Sequence, residues 1–353
     1  MTAVTDTATG VTHEVVLSTS DGVESTLVCP PDLSILEAAA DAGTYLPSMC
    51  GQGTCGACAA HVSAGSYVLG EHDPSVLGSD PTEGTVLLCR TTPTADCRVE
   101  LPYDRTRIVD SPPPVRRATV TAIDVVAEAT VRLRLGLVAD ELGMAAEFDP
   151  GQFLQVQVPG TEELRAYSLA NCGNWDGEFE LFVRVQPGGL FSTWLTTTAA
   201  VGDVVTVHGP RGAFGLRENG LRPRWFVGGG TGLAPMLSMM RRMAEWGEAQ
   251  PARLYFGVNT VAEVFAQDEI AEVVAALPDA AATTCVWHPE PGASWDGFVG
   301  TPVDALVRDL AGSGEPPDVY VCGPPAMVDA VERALAAAGI PAEQVRAERF
   351  TAS

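Results

Sequence analysis

Four cysteines have a spacing that suits inorganic chemistry. Cys50, Cys55 and Cys58 stand in the run Cys50-Gly51-Gln52-Gly53-Thr54-Cys55-Gly56-Ala57-Cys58, and Cys89 follows after thirty intervening residues. A C-x4-C-x2-C run with one distant cysteine is the plant-type [2Fe–2S] ligand spacing, in which each of two irons takes two thiolates. Gly51, Gly53 and Gly56 suit a loop whose backbone approaches the inorganic sulfurs. The competing readings are buried free thiols or a zinc site. A structural zinc site pairs one C-x2-C with a second ligand pair, and Cys89 has no such mate.

Two further sets of residues suit nucleotides. Arg165-Ala166-Tyr167-Ser168 offers a guanidinium for a diphosphate, an aromatic face for a flavin ring and a hydroxyl near its reactive nitrogen. The Gly188-Gly189-Leu190-Phe191-Ser192-Thr193 stretch runs into a helix start, where free backbone N–H groups suit a pyrophosphate. Farther on, Gly228-Gly229-Gly230-Thr231-Gly232-Leu233-Ala234-Pro235 joins a strand to a helix. Its glycines admit a dinucleotide to the helix N-terminus, although Leu233 stands where the third glycine of G-x-G-x-x-G would be. Cys322-Gly323-Pro324-Pro325 lies at a second strand end, which favours contact between Cys322 and a nicotinamide.

The elements that must position these residues fall into three textures. Val11–Ser18 and Glu24–Cys29 read as a strand pair, Ser34 to Glu37 as a capping box opening a short helix, and Cys58–Val62 and Val86–Cys89 as strands. That is a small α+β unit of the β-grasp kind. Cys29 and Cys97 fall on strand-like stretches as ordinary thiols. Ser111-Pro112-Pro113-Pro114 is a stiff interruption and marks a boundary. Beyond it, Ala118–Val125, Thr130–Leu137, Gln152–Val158, Glu178–Val185 and Asp203–His208 suggest an antiparallel barrel, with Arg165–Ser168 at the start of a strand. From Arg224 strands and helices alternate to the end, the pattern of a doubly wound parallel sheet. The expected domains are residues 11–107, 115–218 and 223–353.

Composition narrows the function. The 353 residues are 46% hydrophobic and 19% charged, as in soluble globular proteins, and no apolar stretch is long enough to span a membrane. The N-terminus lacks the basic and apolar regions of a signal peptide, so the expected location is the cytoplasm, where nine cysteines point to metal ligation or free thiols. A net charge of −24 argues against nucleic-acid binding. All 21 basic residues are arginine, which excludes lysine-based covalent catalysis. Residues 1–110 are the most acidic part for their length, with 15 Asp/Glu against 4 Arg, a net of −11. Such a surface would steer docking onto a basic partner.

Together these residues resemble the ferredoxin-NAD(P)H reductase family. More narrowly, they resemble bacterial oxygenase reductase components with an N-terminal ferredoxin domain. Leu87-Leu88-Cys89-Arg90-Thr91-Thr92-Pro93 and Glu100-Leu101-Pro102-Tyr103 are similar to the reductases of soluble di-iron methane, propane, alkene and phenol hydroxylases. The resemblance implies a β-grasp ferredoxin domain, an antiparallel β-barrel FAD domain and an α/β NAD domain. It assigns the cluster to Cys50, Cys55, Cys58 and Cys89. FAD falls to Arg165, Tyr167 and Ser168, with Gly188, Gly189, Phe191 and Ser192 near its phosphates. The nicotinamide nucleotide falls to Gly230, Thr231, Gly232, Pro235, Glu263, Cys322, Gly323 and Pro324. Glu348-Arg349-Phe350 matches the family's terminal acidic-x-aromatic pattern, which puts Phe350 by the flavin in a place where many relatives have tyrosine. Ser168, Cys322, Glu348 and Phe350 are the residues expected around the reacting atoms. Asn259, Thr260 and Glu263 follow a strand without an arginine for a 2′-phosphate, which favours NADH. The implied path runs from NADH to FAD to the [2Fe–2S] cluster to a hydroxylase that docks at the acidic ferredoxin domain. Alternatives are a reductase of a Rieske aromatic-ring dioxygenase and a non-catalytic redox-sensing subunit.

Overall fold

The computed structural model describes residues 11–77, 82–218, 220–290 and 292–350. The chain divides into two compact units, Met1–Pro112 and Pro113–Ser353, and the division falls inside the run of prolines.

The first unit is a β-grasp. Strands β1 (His13–Ser18) and β2 (Glu24–Cys29) form an antiparallel hairpin whose alternation buries Val15, Leu17, Leu27 and Cys29. Helix α1 (Ile35–Asp41) starts at Ser34. The Glu37 N–H donates to the Ser34 hydroxyl, and the Glu37 carboxylate accepts from the Ser34 N–H, so the capping box forms. Then come β3 (Ala59–Ala64), β4 (Tyr67–Leu69), β5 (Thr85–Leu87), β6 (Thr91–Pro93) and β7 (Cys97–Glu100). The main sheet runs β2-β1-β7-β3-β5, with β1 and β7 parallel, and β4 pairs with β6. Cys89 was expected on a strand. It sits instead in a 3-10 turn, Leu88–Arg90, because the chain bends away from β5 as soon as the Leu88 N–H has bonded the Cys58 carbonyl at 3.0 Å. Cys29 and Cys97 are buried strand thiols.

The second unit opens with an antiparallel barrel: β8 (Val115–Ala127), β9 (Thr130–Leu137), β10 (Phe153–Gln157), β11 (Leu164–Ser168), β12 (Glu178–Arg184) and β13 (Val204–Arg211), in the order β11-β10-β13-β8-β9-β12. Leu169 bridges Leu181 and closes the outer strands. Helix α2 (Leu190–Thr197) buries Phe191 and Leu195 in the barrel core beside Leu154, Val156 and Leu181. The Arg165–Ser168 run fills strand β11 from its second residue to its last.

The remainder is a parallel sheet. In chain order it contains β14 (Arg224–Gly229), α3 (Leu233–Glu245), β15 (Ala252–Val258), α4 (Gln267–Ala276), β16 (Ala280–Val286), β17 (Phe298–Val299), α5 (Pro302–Leu310), β18 (Asp318–Gly323), α6 (Pro325–Ala337) and β19 (Val345–Arg349). The sheet order is β17-β16-β15-β14-β18-β19. Every residue of β14 and β18 is buried, as helices on both faces require. Strand order reverses between β14 and β18, the switch point where such sheets bind ligands. β17 and β19 were not anticipated. One is two residues long, and the other, Val-Arg-Ala-Glu-Arg, reads as polar although it pairs with β18.

Candidate functional site

In the first unit, register brings the cysteines together. β3 pairs with β5 so that Ala59 faces Leu87, which carries Cys58 to Cys89 with their sulfurs 3.3 Å apart. Cys50 accepts from the N–H groups of Gln52 and Thr54 at 3.3 Å each. The thiols of Cys55 and Cys89 also hydrogen-bond Cys50, and these donors hold its thiol far below the ordinary range. The same contacts, with burial, push Cys55 and Cys89 upward. Four crowded sulfurs that share hydrogen bonds form a donor set in which cationic iron can take the place of the thiol protons. Among the described residues no three His, Cys, Asp or Glu side chains form a single-ion site. A two-iron cluster needs two pairs, and the pairs Cys50/Cys55 and Cys58/Cys89 fit it. Gly53 (φ +76°) and Gly56 (φ +75°) take left-handed backbone, and a Cβ on Gly56 would lie 2.9 Å from the Val76 carbonyl oxygen. Turn shape and packing therefore account for these glycines.

In the barrel, alternation along β11 sends Arg165 and Tyr167 to one face and Ser168 to the other. β11 has a neighbour on one side only until Leu169, so a ligand along that margin can meet both faces. Arg165 donates to Glu163 at 3.0 Å. Tyr167 packs on Phe191 with ring centroids 5.1 Å apart. Ser168 is 5% exposed, and its buried Oγ has no hydrogen-bond partner among the described residues. An orphaned buried hydroxyl is a cost that a polar ligand removes. The Gln186 N–H donates to the Ser192 hydroxyl at 2.9 Å, which fixes the turn before α2. Gly189 is the N-cap of that helix, and Gly188, at φ +75°, has open space where a Cβ would lie. These residues fit a flavin dinucleotide.

At the switch point the two loops interlock. A Cβ on Gly232 would lie 2.2 Å from the Cys322 carbonyl oxygen, and one on Gly229 would lie 2.6 Å from Met327 Sδ. Gly323 would likewise crowd Met327. Close approach of β14 to β18 thus requires glycine at these positions, whereas Gly230 faces open space. Thr231 sits in the 3-10 turn between the strand and α3, and Pro235 is buried in the first turn of that helix. Pro324 is the N-cap residue of α6. Cys322 lies opposite Glu348 in the β18–β19 register, and its thiol donates to the Glu348 carboxyl at 3.9 Å. Burial raises the Glu348 carboxyl to about 8 and the Cys322 thiol well above its ordinary range. The Phe350 N–H donates to the Gly323 carbonyl at 2.8 Å, and its ring packs against the core that contains Cys322.

Glu263 commits both oxygens to protein. Oε2 accepts from the backbone and side chain of Asn259, and Oε1 accepts from Arg184 at 3.2 Å. The loop after β15 therefore does have an arginine beside it, contributed by barrel strand β12 and neutralised by Glu263. Arg184 and Arg211 carried no local sequence signal. Only sheet packing brings Arg184 to Glu263, and only register brings Arg211 into the row of Ser168.

Residues 18–94 match the 2Fe-2S iron-sulfur cluster binding domain, 117–215 the oxidoreductase FAD-binding domain and 226–333 the oxidoreductase NAD-binding domain. The reductase component of propane 2-monooxygenase from Rhodococcus jostii (strain RHA1) is 35% identical across 91% of this chain and 87% of its own length. The electron transfer component of toluate 1,2-dioxygenase from Pseudomonas putida is 34% identical across 97% of this chain and 99% of its own. The crystal structure of an Amycolatopsis cytochrome P450 reductase superposes with a TM-score of 0.73 at 31% identity, covering 96% of this chain and 99% of that one. The chain thus belongs to the reductase components of oxygenase systems, oxidoreductases that use a [2Fe–2S] cluster, FAD and a nicotinamide dinucleotide to transfer electrons.

Proposed function

We propose that this reductase draws its electrons from NADH and delivers them, through FAD and then the cluster, to the hydroxylase of a multicomponent di-iron hydrocarbon monooxygenase. The observation that carries the exit point is the cluster loop. Gly51 and Gln52 are exposed beside Cys50, in the segment with a net charge of −11. A partner with a basic surface would meet the cluster there. Similarity to the propane 2-monooxygenase component supports the class of partner. The similar identity of the toluate 1,2-dioxygenase component supports a second reading, a ring dioxygenase as acceptor. We assign the work to three domains, residues 11–107, 115–218 and 223–353, and to the cytoplasm.

When bound, the flavin accepts an electron pair and passes electrons on singly, which links a hydride donor to a one-electron cluster. The chain's own residues bind and orient. Cys50, Cys55, Cys58 and Cys89 hold the irons. Arg165 and the start of α2, from Gly188 to Ser192, hold the diphosphate, Tyr167 lies by the ring, and Ser168 offers its unpartnered hydroxyl at the ring edge. Gly230, Thr231, Gly232 and Pro235 serve the coenzyme from the turn between β14 and α3, and Cys322, Gly323 and Pro324 from the junction of β18 with α6. Glu348 keeps its proton at neutral pH next to Cys322, so no charge builds up behind the nicotinamide. Phe350 excludes water from the same corner. Glu263 neutralises Arg184, the arginine beside the loop after β15 among the described residues, which favours NADH.

An anaerobic titration tests the reading. NADH should bleach the flavin and cluster absorbance together, with NADPH far less effective. A cluster that stays oxidised in the presence of excess NADH sinks the electron path. Reconstitution with a hydrocarbon hydroxylase and, in parallel, a ring dioxygenase should give NADH-dependent product with the first.

A further inference from the structure

The barrel contains a half-buried arginine, Arg211, that has no carboxylate partner among the described residues. β10 lies between β11 and β13, and the register sets Ser168, Phe153 and Arg211 opposite one another in a single row. Ala166, Gln155 and His208 form the neighbouring row. β13 carries a bulge between His208 and Arg211, and this extra residue sets Arg211 opposite Phe153; directly opposed residues project from the same face of a sheet, so Arg211 shares the face of Ser168. Strand spacing puts the two backbones roughly 10 Å apart. Phe153 is 1% exposed between them. A Cβ on Gly212 would lie 3.1 Å from the Phe153 ring, and one on Gly151 would meet the Phe214 carbonyl oxygen and Met239 of α3. The turn that leads into β10 therefore packs against Phe214 and helix α3.

Arg211 differs from three other arginines. Arg116 bonds Asp140, Arg224 bonds Glu248 and Arg132 bonds Glu269. What sets Arg211 apart is that, among the described residues, no carboxylate lies within ion-pair distance of it; its buried Nε also lacks a hydrogen-bond partner, as does that of Arg132, whose charge Glu269 meets. His208, the titratable neighbour, is held below its ordinary range by burial and by Arg211, so it adds no charge of either sign at neutral pH. A guanidinium does not shed its proton, and leaving its buried Nε–H without an acceptor is costly. Both features in the row, the orphaned Ser168 hydroxyl and the orphaned Arg211 Nε, ask for one ligand with an acceptor beside each.

We propose that Arg211 is a further cofactor-binding residue whose guanidinium neutralises the negative charge that the flavin ring acquires on reduction. Hydride transfer delivers two electrons and one proton, so the ring gains one negative charge unless a second proton follows. The diphosphate is the weaker candidate for its partner, because Arg165 projects from the opposite face of β11 to Ser168. The inference rests on the assignment of Ser168 to the flavin ring.

The test uses the full-length holoprotein with Arg211→Met, a neutral residue of similar bulk, Arg211→Gln as a second neutral variant, and Arg211→Lys, which keeps the charge. The readouts are FAD affinity in both oxidation states, the flavin two-electron potential, the cluster potential by EPR, and thermal stability. Losing a charge-assisted hydrogen bond should weaken reduced FAD relative to oxidised FAD by roughly tenfold, about 30 mV toward more negative flavin potential. Arg211→Lys should restore most of this, and the cluster potential should not move. An unchanged flavin potential in both neutral variants overturns the proposal, whether the loss falls on oxidised-FAD affinity, on the KM for NADH or on stability alone. A Ser168→Ala protein whose flavin potential and FAD affinity match the unsubstituted protein would instead sink the Ser168 assignment.

Discussion

Glu348 carries its proton at neutral pH because it is buried, and the physical consequence can be measured. A carboxyl whose folded value lies near 8 against an ordinary 4.5 stabilises the fold in its protonated form. Its contribution is full below about 4.5 and is lost as pH rises toward about 8, at a cost on the order of a few kcal/mol. Glu348→Gln cannot ionise and keeps an acceptor for the Cys322 thiol. The unfolding free energy of the unsubstituted protein should therefore fall relative to the variant between pH 5 and 8, and parallel curves across that range would refute the buried acid. The partnership of Glu348 with Cys322 was not legible in the sequence, since 26 residues separate them and only the β18–β19 register brings them together. The four cysteines were legible as a set because ligand chemistry fixes both residue type and spacing. Arg211 was not, because an arginine in a strand announces neither its burial nor its missing partner.

Elements explain why some patterns were readable and others not. The capping box at Ser34, the hairpin β1–β2 and the alternation of β9 are local, and the chain folds there as its spacing suggests. β19 failed because a polar strand at the margin of a parallel sheet lacks the apolar run that marks its inner neighbours. The Cys50–Cys58 segment is a loop, and packing restrains two of its glycines, Gly53 and Gly56, whereas Gly51 faces open space. Gly56→Ala would impose a left-handed backbone on a residue with a Cβ, at about 1–2 kcal/mol, and press that Cβ on the Val76 carbonyl. Iron and sulfide per chain should fall well below the unsubstituted level. Gly51→Ala, which shares the positive φ but faces open space, should lose less. Equal losses would show that backbone strain alone matters and that the Val76 contact does not. Cys29→Ala and Cys97→Ala should retain the cluster absorbance that Cys58→Ala and Cys89→Ala abolish.

At the scale of the molecule, charge sets the encounter with the electron acceptor. The Met1–Pro112 unit holds most of a −11 surplus on its surface, and the ion pairs Arg98–Glu24 and Arg105–Asp110 occupy two of its four arginines. The field of the remaining acids reaches about 10 Å at 0.1 M salt and shrinks as salt is added. A basic partner is drawn in by that field, so its association should slow with ionic strength while the hydride-transfer step does not. Ferricyanide is an anion and is repelled by the same field, so its reduction should quicken with salt, and a neutral acceptor should show little change. Opposite slopes for hydroxylase and ferricyanide, measured with one preparation at fixed NADH, would locate the effect at the acidic surface. A hydroxylase rate that is flat or rises with salt would mean that apolar contacts bring the partner to the cluster loop. In that case the exposed rim at Gly51 and Gln52, and not the surrounding carboxylates, would set the choice of oxygenase.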